Sequence, residues 1–416
     1  VTAATSIDLD LQRVRQQFPA LALQVDGQPV VYLDNPAGTQ VPQRVIDRTA
    51  EYWRTMNANH GGSFVTSRRS DALIEEVRTA AAKFLNAPSA DQIVFGPNMT
   101  TLTFALSRAI GRELAAGDEI LVTRLDHDAN VAPWLALAER GVTVRFVDIQ
   151  VPECTIDMED LRRQLTSRTR LVAVTHASNG VGTIPDVKAI SRVVHAAGAW
   201  LWVDAVHYAP HGLIDVQAID CDFLVCSSYK FYGPHQGLLY GRRELLERLQ
   251  PYKVRPAANH GPGRWETGTQ NHECLAGMLG AFEYLAALGG STEVSRSALE
   301  AAMLRIGAHE RALAARLLQG IGQIRGTQVY GISDVTRLDQ RAPTVSITWP
   351  PHRPQALAQW LAEHQVFTWH GDHYATELIN RLGLREQGGT LRIGIAHYNT
   401  ASEIDLLLEL LAGFKG

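Results

Sequence analysis

Ser227-Ser228-Tyr229-Lys230-Phe231-Tyr232-Gly233-Pro234 follows the apolar run Phe223-Leu224-Val225-Cys226 and leads into His235-Gln236-Gly237-Leu238-Leu239-Tyr240-Gly241. The run is short, apolar and bounded by turn residues, which is the pattern of a buried strand, so Lys230 falls just past the strand's carboxyl end. Open α/β sheets bind their ligands at that edge. A lysine there can condense with an aldehyde once burial pulls its pKa down, and the hydroxyls of Ser227, Ser228 and Tyr229 could hold a phosphate. Taken alone, the same lysine also reads as a side chain that snorkels to solvent.

A second apolar run, Ala199-Trp200-Leu201-Trp202-Val203, ends in Asp204. A carboxylate at a strand end can pair with a protonated pyridine nitrogen, and a protonated pyridine is a strong electron sink for a carbanion. Asp204 and Lys230 together describe a site for pyridoxal 5'-phosphate. After an earlier strand, Gly96-Pro97-Asn98-Met99-Thr100-Thr101 opens a helix. Free N–H groups and the helix dipole make such a start an anion site, so Thr100 with Met99 is the main expected phosphate anchor. A plain N-cap would read the same way.

From Tyr32-Leu33-Asp34-Asn35-Pro36-Ala37-Gly38-Thr39 to Leu391-Arg392-Ile393-Gly394-Ile395-Ala396-His397-Tyr398-Asn399-Thr400 the chain resembles the class V aminotransferase family of fold-type I pyridoxal phosphate enzymes. Within that family it is most similar to the Suf-type cysteine desulfurases. The resemblance implies an α/β fold-type I transferase with a large, mainly parallel sheet domain and a smaller α+β domain. It also implies roles for single residues. Arg124-Leu125-Asp126-His127-Asp128-Ala129-Asn130 is close to the family's Glu-His-His-Ala-Asn pattern, so His127 is expected to stack on the cofactor ring and move protons. Asn179 is expected near the cofactor's phenolic oxygen and the substrate carboxylate, with His207 where many relatives carry glutamine. Ser227 and Tyr229 match phosphate-binding positions. Arg264-Trp265-Glu266-Thr267-Gly268-Thr269 resembles a segment whose threonine reaches the phosphate held by the other subunit, so Thr269 implies a homodimer. Arg392 matches the arginine that clamps the substrate α-carboxylate, a task suited to a planar bidentate donor. The segment Asn57–Ser63 reaches an active site in the family, which makes His60 a substrate-side candidate. Its composition also suits an ordinary surface loop.

The chain departs from the desulfurase pattern in Trp369-His370-Gly371-Asp372-His373-Tyr374-Ala375, which aligns with Arg-Thr-Gly-His-His-Cys-Ala. Tyr374 stands where a desulfurase carries the cysteine that takes up sulfur, and a phenol cannot form a persulfide. Trp369 replaces an arginine. The expected activity is therefore C–S bond cleavage in a small amino acid by α,β-elimination, as in a cysteine or cystine lyase, with Lys230, Asp204 and His127 catalytic and Arg392, Asn179, His60 and Tyr374 at the substrate. Desulfuration with another sulfur acceptor, transamination and epimerisation are rival reactions on the same cofactor. A catalytically silent scaffold is the rival outside enzymology.

Composition limits the remaining classes. The 416 residues carry a formal charge of -4 and 45% hydrophobic residues, a globular balance without a basic stretch for nucleic acid or an anionic membrane. The start, Val1–Asp8, lacks the features of a secretory signal, and no apolar run is long enough to span a bilayer, so a cytoplasmic protein is expected. Cys154, Cys221, Cys226 and Cys274 lack CxxC spacing and read as reduced thiols. Asp126 and Asp128 beside His127, and the pairs His207/His211 and His370/His373, lack a complete ligand set, so no metal is expected.

Strands at 93–95, 119–123, 142–147, 171–175, 200–203, 223–226 and 238–240, spaced by helical patterns such as Val187–Ala196, predict a mainly parallel sheet with helices on both faces. The large domain is read as 31–290. A second unit, 291–416, is expected to be completed by 1–30. It opens with a helix from Glu293 to Leu318, contains strands at 328–330, 344–349, 366–368 and 390–395, and ends in a helix begun by the capping box Thr400-Ala401-Ser402-Glu403.

Overall fold

Seven apolar segments form one sheet in the computed structural model of the protein, which describes residues 9–415. The stretch Val1–Asp8 lies outside the described residues. The strands are β1 (Ile93–Gly96), β2 (Glu119–Thr123), β3 (Thr143–Val147), β4 (Thr169–Thr175), β5 (Trp200–Asp204), β6 (Phe223–Ser227) and β7 (Gly237–Gly241), in spatial order β1-β7-β6-β5-β4-β2-β3. β7 runs antiparallel to both neighbours, and the other pairings are parallel. Every residue of β1, β2, β6 and β7 is buried, as expected when helices cover both faces. The pleat sorts the side chains: Leu121, Val172, Leu201, Val203 and Leu224 enter one core cluster, while Ile120, Val122, Leu171, Trp202 and Val225 enter another. The helices α1 (Gln43–Thr55), α2 (Val65–Leu85) and α5 (His272–Leu288) supply Tyr52, Val77 and Leu279 to the first cluster, as α4 (Val187–Ala196) does Ile190. α3 (Met99–Ile110) supplies Leu102 and Leu106 to the second.

The C-terminal sheet is antiparallel. Its strands β8 (Gln328–Tyr330), β9 (Thr344–Thr348), β10 (Trp369–Gly371) and β11 (Thr390–Gly394) lie in the order β8-β9-β11-β10. Helices α6 (Arg296–Gln323), α7 (Pro354–Glu363) and α8 (Ala401–Gly413) pack Leu317, Leu361, Ile404 and Leu407 against Val345, Ile347, Leu391 and Ile393. Val31 and Leu33 join this cluster, because Val31–Tyr32 pairs in parallel with Val366–Phe367. The segment 366–368, read from sequence as a strand of this sheet, thus pairs elsewhere. The sheet takes Trp369–Gly371 in its place, a stretch too short to carry a periodic signal. α6 begins three residues later than its apolar spacing suggests, since Ser295 caps it by accepting from the Ala298 N–H. The capping box at Thr400 and Glu403 is formed.

The turn after Leu33 joins the two sheets. Gly394 N–H donates to Leu33 O at 2.7 Å, and Asn35 Nδ2 donates to Gly394 O at 2.8 Å. A Cβ at position 394 would collide with the Pro36 ring. Gly394→Ala is therefore expected to displace the 34–37 turn and to cost about 1–3 kcal/mol, the usual range for overpacking. A fall in the urea midpoint without a change of slope would register it; an unchanged midpoint would show that the turn yields freely.

Candidate active site

Three strand ends and one turn converge on Lys230. β6 runs beside β5 with Asp204 opposite Val225, so both chains emerge at the same edge of the sheet. Lys230 closes a short 3-10 turn, Ser228–Lys230, directly after β6. Its Nζ donates to Ala37 O at 2.9 Å and also contacts Pro36 O. Burial, aided by the Arg392 charge, pulls its pKa down to about 7.

Around Lys230 lies a small cleft whose lining includes Pro36, Met99, Thr100, His127, Asn179 and Asp204, with His207 and Tyr229. Asp204 Oδ1 accepts from the Val206 N–H at 2.9 Å. Burial raises the Asp204 pKa to about 6, so a cation placed against its other oxygen would be stabilised. Asn179 Nδ2 donates to His373 O at 2.8 Å, while its buried Oδ1 has no partner. Met99 N–H, at the start of α3, donates to Ser227 Oγ at 2.9 Å, which ties the helix start to the end of β6. The first-turn N–H groups of α3 therefore face the cleft where an anion would sit.

His127 is held in one tautomer. Its Nδ1 accepts from the Ala129 N–H at 2.9 Å, which leaves the proton on Nε2. Burial and the Lys230 charge lower its pKa to about 4, so the ring is neutral here. His207 is also pushed far below its usual value by burial, and its Nε2 lies 3.0 Å from Thr344 Oγ1. Asp126, noted beside His127, is not free for a metal: it accepts from Thr123 and from Asn130 Nδ2. Among the described residues no group of three or more His, Cys, Asp or Glu side chains is disposed to hold a metal.

Arg392, on β11, is 4% exposed and reaches the cleft's edge, where Nη1 donates to Asn179 O at 3.1 Å. The loop after β10 covers the same edge. Asp128 N–H donates to Tyr374 O at 2.7 Å, which together with the Asn179–His373 bond fixes this loop to the cleft wall. His373 and Tyr374 both have φ 56°, successive non-glycine residues in the left-handed region. Such backbone strain persists where the surroundings dictate it, commonly at functional sites. The result is a Tyr374 ring that stacks with His127, centroids 5.6 Å apart at 17°, while 72% exposed.

Two expected residues are not brought to this cleft within the chain. His60 lies on the surface with Nδ1 3.8 Å from Asp71, because its segment folds against the start of α5, where His272 meets its ring edge-on. Thr269 sits exposed on the loop before α5. Residues that the sequence reading left without a role are also present: Thr344 beside His207, and Asp34, whose Oδ1 is 3.0 Å from Arg392 Nη2. Asp34 stood inside a matching motif, but its partner is 358 positions away.

The chain is similar to known proteins over nearly its whole length. The family model described as aminotransferase class-V matches residues 31–407. A cysteine desulfurase of Serratia proteamaculans is 33% identical over 421 residues, covering 97% of each chain. Among solved structures, the apo cysteine desulfurase of Thermococcus onnurineus NA1 superposes with a TM-score of 0.87 at 26% identity, covering 97% of each chain. The cysteine desulfurase CsdA of Escherichia coli gives 0.83 at 28% identity, covering 97% of this chain and 98% of its own.

The neutral amine is the form that condenses with an aldehyde. With Lys230 depressed to about 7 from 10.5, the rate of colour formation with added pyridoxal phosphate should rise through about pH 7 and then level. The unfolded chain keeps this proton up to about 10.5 while the folded chain loses it near 7, so Lys230 makes the cofactor-free protein more stable as pH rises across that window. A rate still climbing at pH 9 would contradict the buried-amine assignment.

Proposed function

The chain belongs to the class-V aminotransferase family, and from that premise we propose that it cleaves the C–S bond of cysteine, cystine or a related thioether by α,β-elimination. It is a pyridoxal phosphate-dependent enzyme. The residues present fit that group: a buried carboxylate with an oxygen to spare at Asp204, an unpartnered Asn179 Oδ1 and a helix start at Met99 all face one cleft with a depressed lysine. When bound, pyridoxal phosphate supplies an aldehyde for the amine and an electron sink for the carbanion at Cα.

The chain's own residues divide the remaining work. Lys230 is the amine that would hold the aldehyde and the base that would take a proton from the substrate Cα. Asp204 would hold positive charge at the ring nitrogen, and His127 would border the ring as a neutral imidazole. Met99, Thr100, Ser227 and Tyr229 would hold the phosphate, and Asn179 and His207 would border the phenolic oxygen. Arg392 binds the substrate α-carboxylate. In a homodimer, Thr269 would reach the site of the other subunit, and His60 would serve from a neighbouring loop. The domain division at 290/291, with the N-terminal residues joining the C-terminal unit, accompanies this reading. Four unpaired thiols suit a reducing, cytoplasmic setting, and no helix among the described residues is long and apolar enough to cross a membrane.

The observation that carries elimination over desulfuration is Tyr374 at the mouth of the cleft in the place of a thiol. No cysteine lines the cleft. Cys154, Cys221 and Cys226 are buried, and burial raises the pKa of all four thiols, Cys154 to about 11. Thiolates, not thiols, attack sulfur, so each is a poor acceptor. With no acceptor, sulfur leaves Cβ with the bonding electron pair while Cα gives its proton to Lys230. From cysteine, addition of one water then yields pyruvate, ammonia and hydrogen sulfide. Tyr374, exposed and stacked on His127, is the donor assigned to the departing sulfur.

With L-cysteine, pyruvate and sulfide should therefore appear in equal amounts. Stoichiometric alanine with a persulfide on one of the four cysteines would restore desulfuration, and amino transfer to a keto acid would make the protein a transaminase. Asp204→Asn keeps the shape but not the charge. It should retain cofactor and lose roughly 10^2–10^3 in turnover, the scale for removing one charge-stabilising group. Unchanged turnover would sink the role of Asp204.

A further inference from the structure

Arg392, read as the anchor for the substrate carboxylate, already carries a carboxylate from its own chain. Asp34 Oδ1 lies 3.0 Å from Arg392 Nη2, and both side chains are buried. Nη1 is engaged by Asn179 O at 3.1 Å. The Nε–H is buried with no partner, a donor held in reserve. Asp34 is itself fixed, because the chain on either side of it is bonded to Gly394 through Leu33 O and Asn35 Nδ2. The carbonyls of Pro36 and Ala37, two and three residues on, receive Lys230 Nζ. One turn thus positions both functional cations.

We propose that Asp34 is a positioning and specificity-determining residue: it holds and neutralises the Arg392 guanidinium in the free site, and competes with the incoming α-carboxylate for that charge. The proposal rests on the reading of Arg392 as the carboxylate anchor. A buried guanidinium without a counter-charge is strongly destabilising, so an empty site needs Asp34. The same carboxylate becomes a cost when a second one arrives, since two anions then share one buried cation. The planar fork can bond both, through Nε and the remaining N–H groups, but binding is weaker than to an unshared arginine. Asp34 therefore sets the affinity for amino acids while leaving that for plain amines untouched.

Asp34→Asn tests this, because it keeps an acceptor oxygen for Nη2 and removes the charge. The holoenzyme is titrated with L-alanine, which has the carboxylate but no leaving group, and with ethylamine, which lacks the carboxylate, following the cofactor's visible absorption. The variant should bind L-alanine about tenfold more tightly with ethylamine unchanged, a like-charge contact being worth at least that factor in a buried site. Its melting temperature without ligand should fall, and L-alanine should recover more of it than in the wild type. Asp34→Glu, which keeps the charge but shifts it by one methylene, should not tighten L-alanine. Equal changes for both ligands, or weaker L-alanine binding by the Asn variant, would overturn the proposal. If the wild-type absorption responds to neither L-alanine nor L-cysteine, the amino-acid reading of the site fails, and the role of Asp34 falls with it.

Discussion

An amine enclosed at a sheet edge, within the field of a buried guanidinium, is the constraint on which the site depends. Burial and the charge of Arg392 both act against the ammonium form of Lys230, and only Asp34 and Asp204 act for it. The fold meets that demand with backbone oxygens, those of Pro36 and Ala37, rather than with a direct ion pair. Carbonyls hold the lysine without fixing its charge, which leaves a reactive amine near neutral pH. Everything that places those carbonyls, from the Gly394 contact to the pairing of Val31–Tyr32 with Val366–Phe367, serves the same end.

The large sheet explains why the other groups arrive together. Parallel strands present their carboxyl ends at one edge, so Asp204 after β5 and Lys230 after β6 meet without any long-range coincidence. The helix start at Met99 enters from the far side of β7, tied by the bond to Ser227. The C-terminal sheet then adds Arg392 from a different core, whereas Ala375 and Leu378, just after Tyr374, pack into the first cluster of the large sheet. The cleft itself is lined by residues between Pro36 and Lys230, and Arg392 meets its wall through the Asn179 carbonyl.

Much of this was legible in the sequence, for local reasons. Each strand of the large sheet is an apolar run ended by turn residues, and Lys230 and Asp204 each follow such a run directly, so their placement needed only the pattern and the direction of the chain. The capping box at Thr400 was likewise local. What was hidden depends on register between distant segments. The Asp34–Arg392 pair is set by the contact of the Leu33 turn with the end of β11, which no periodicity announces. β10 was hidden because three residues cannot show alternation. His60 and Thr269 lie away from the cleft of their own chain, and sequence spacing cannot tell a surface position from one that serves a second subunit.

The most direct test of the account is the site of covalent attachment. The protein loaded with pyridoxal phosphate is reduced with borohydride, digested and mapped by mass spectrometry. The account places the pyridoxyl group on Lys230 alone, with Lys230→Ala neither coloured nor labelled. A pyridoxyl group on any other lysine, or a Lys230→Ala protein that still takes the label, would contradict it.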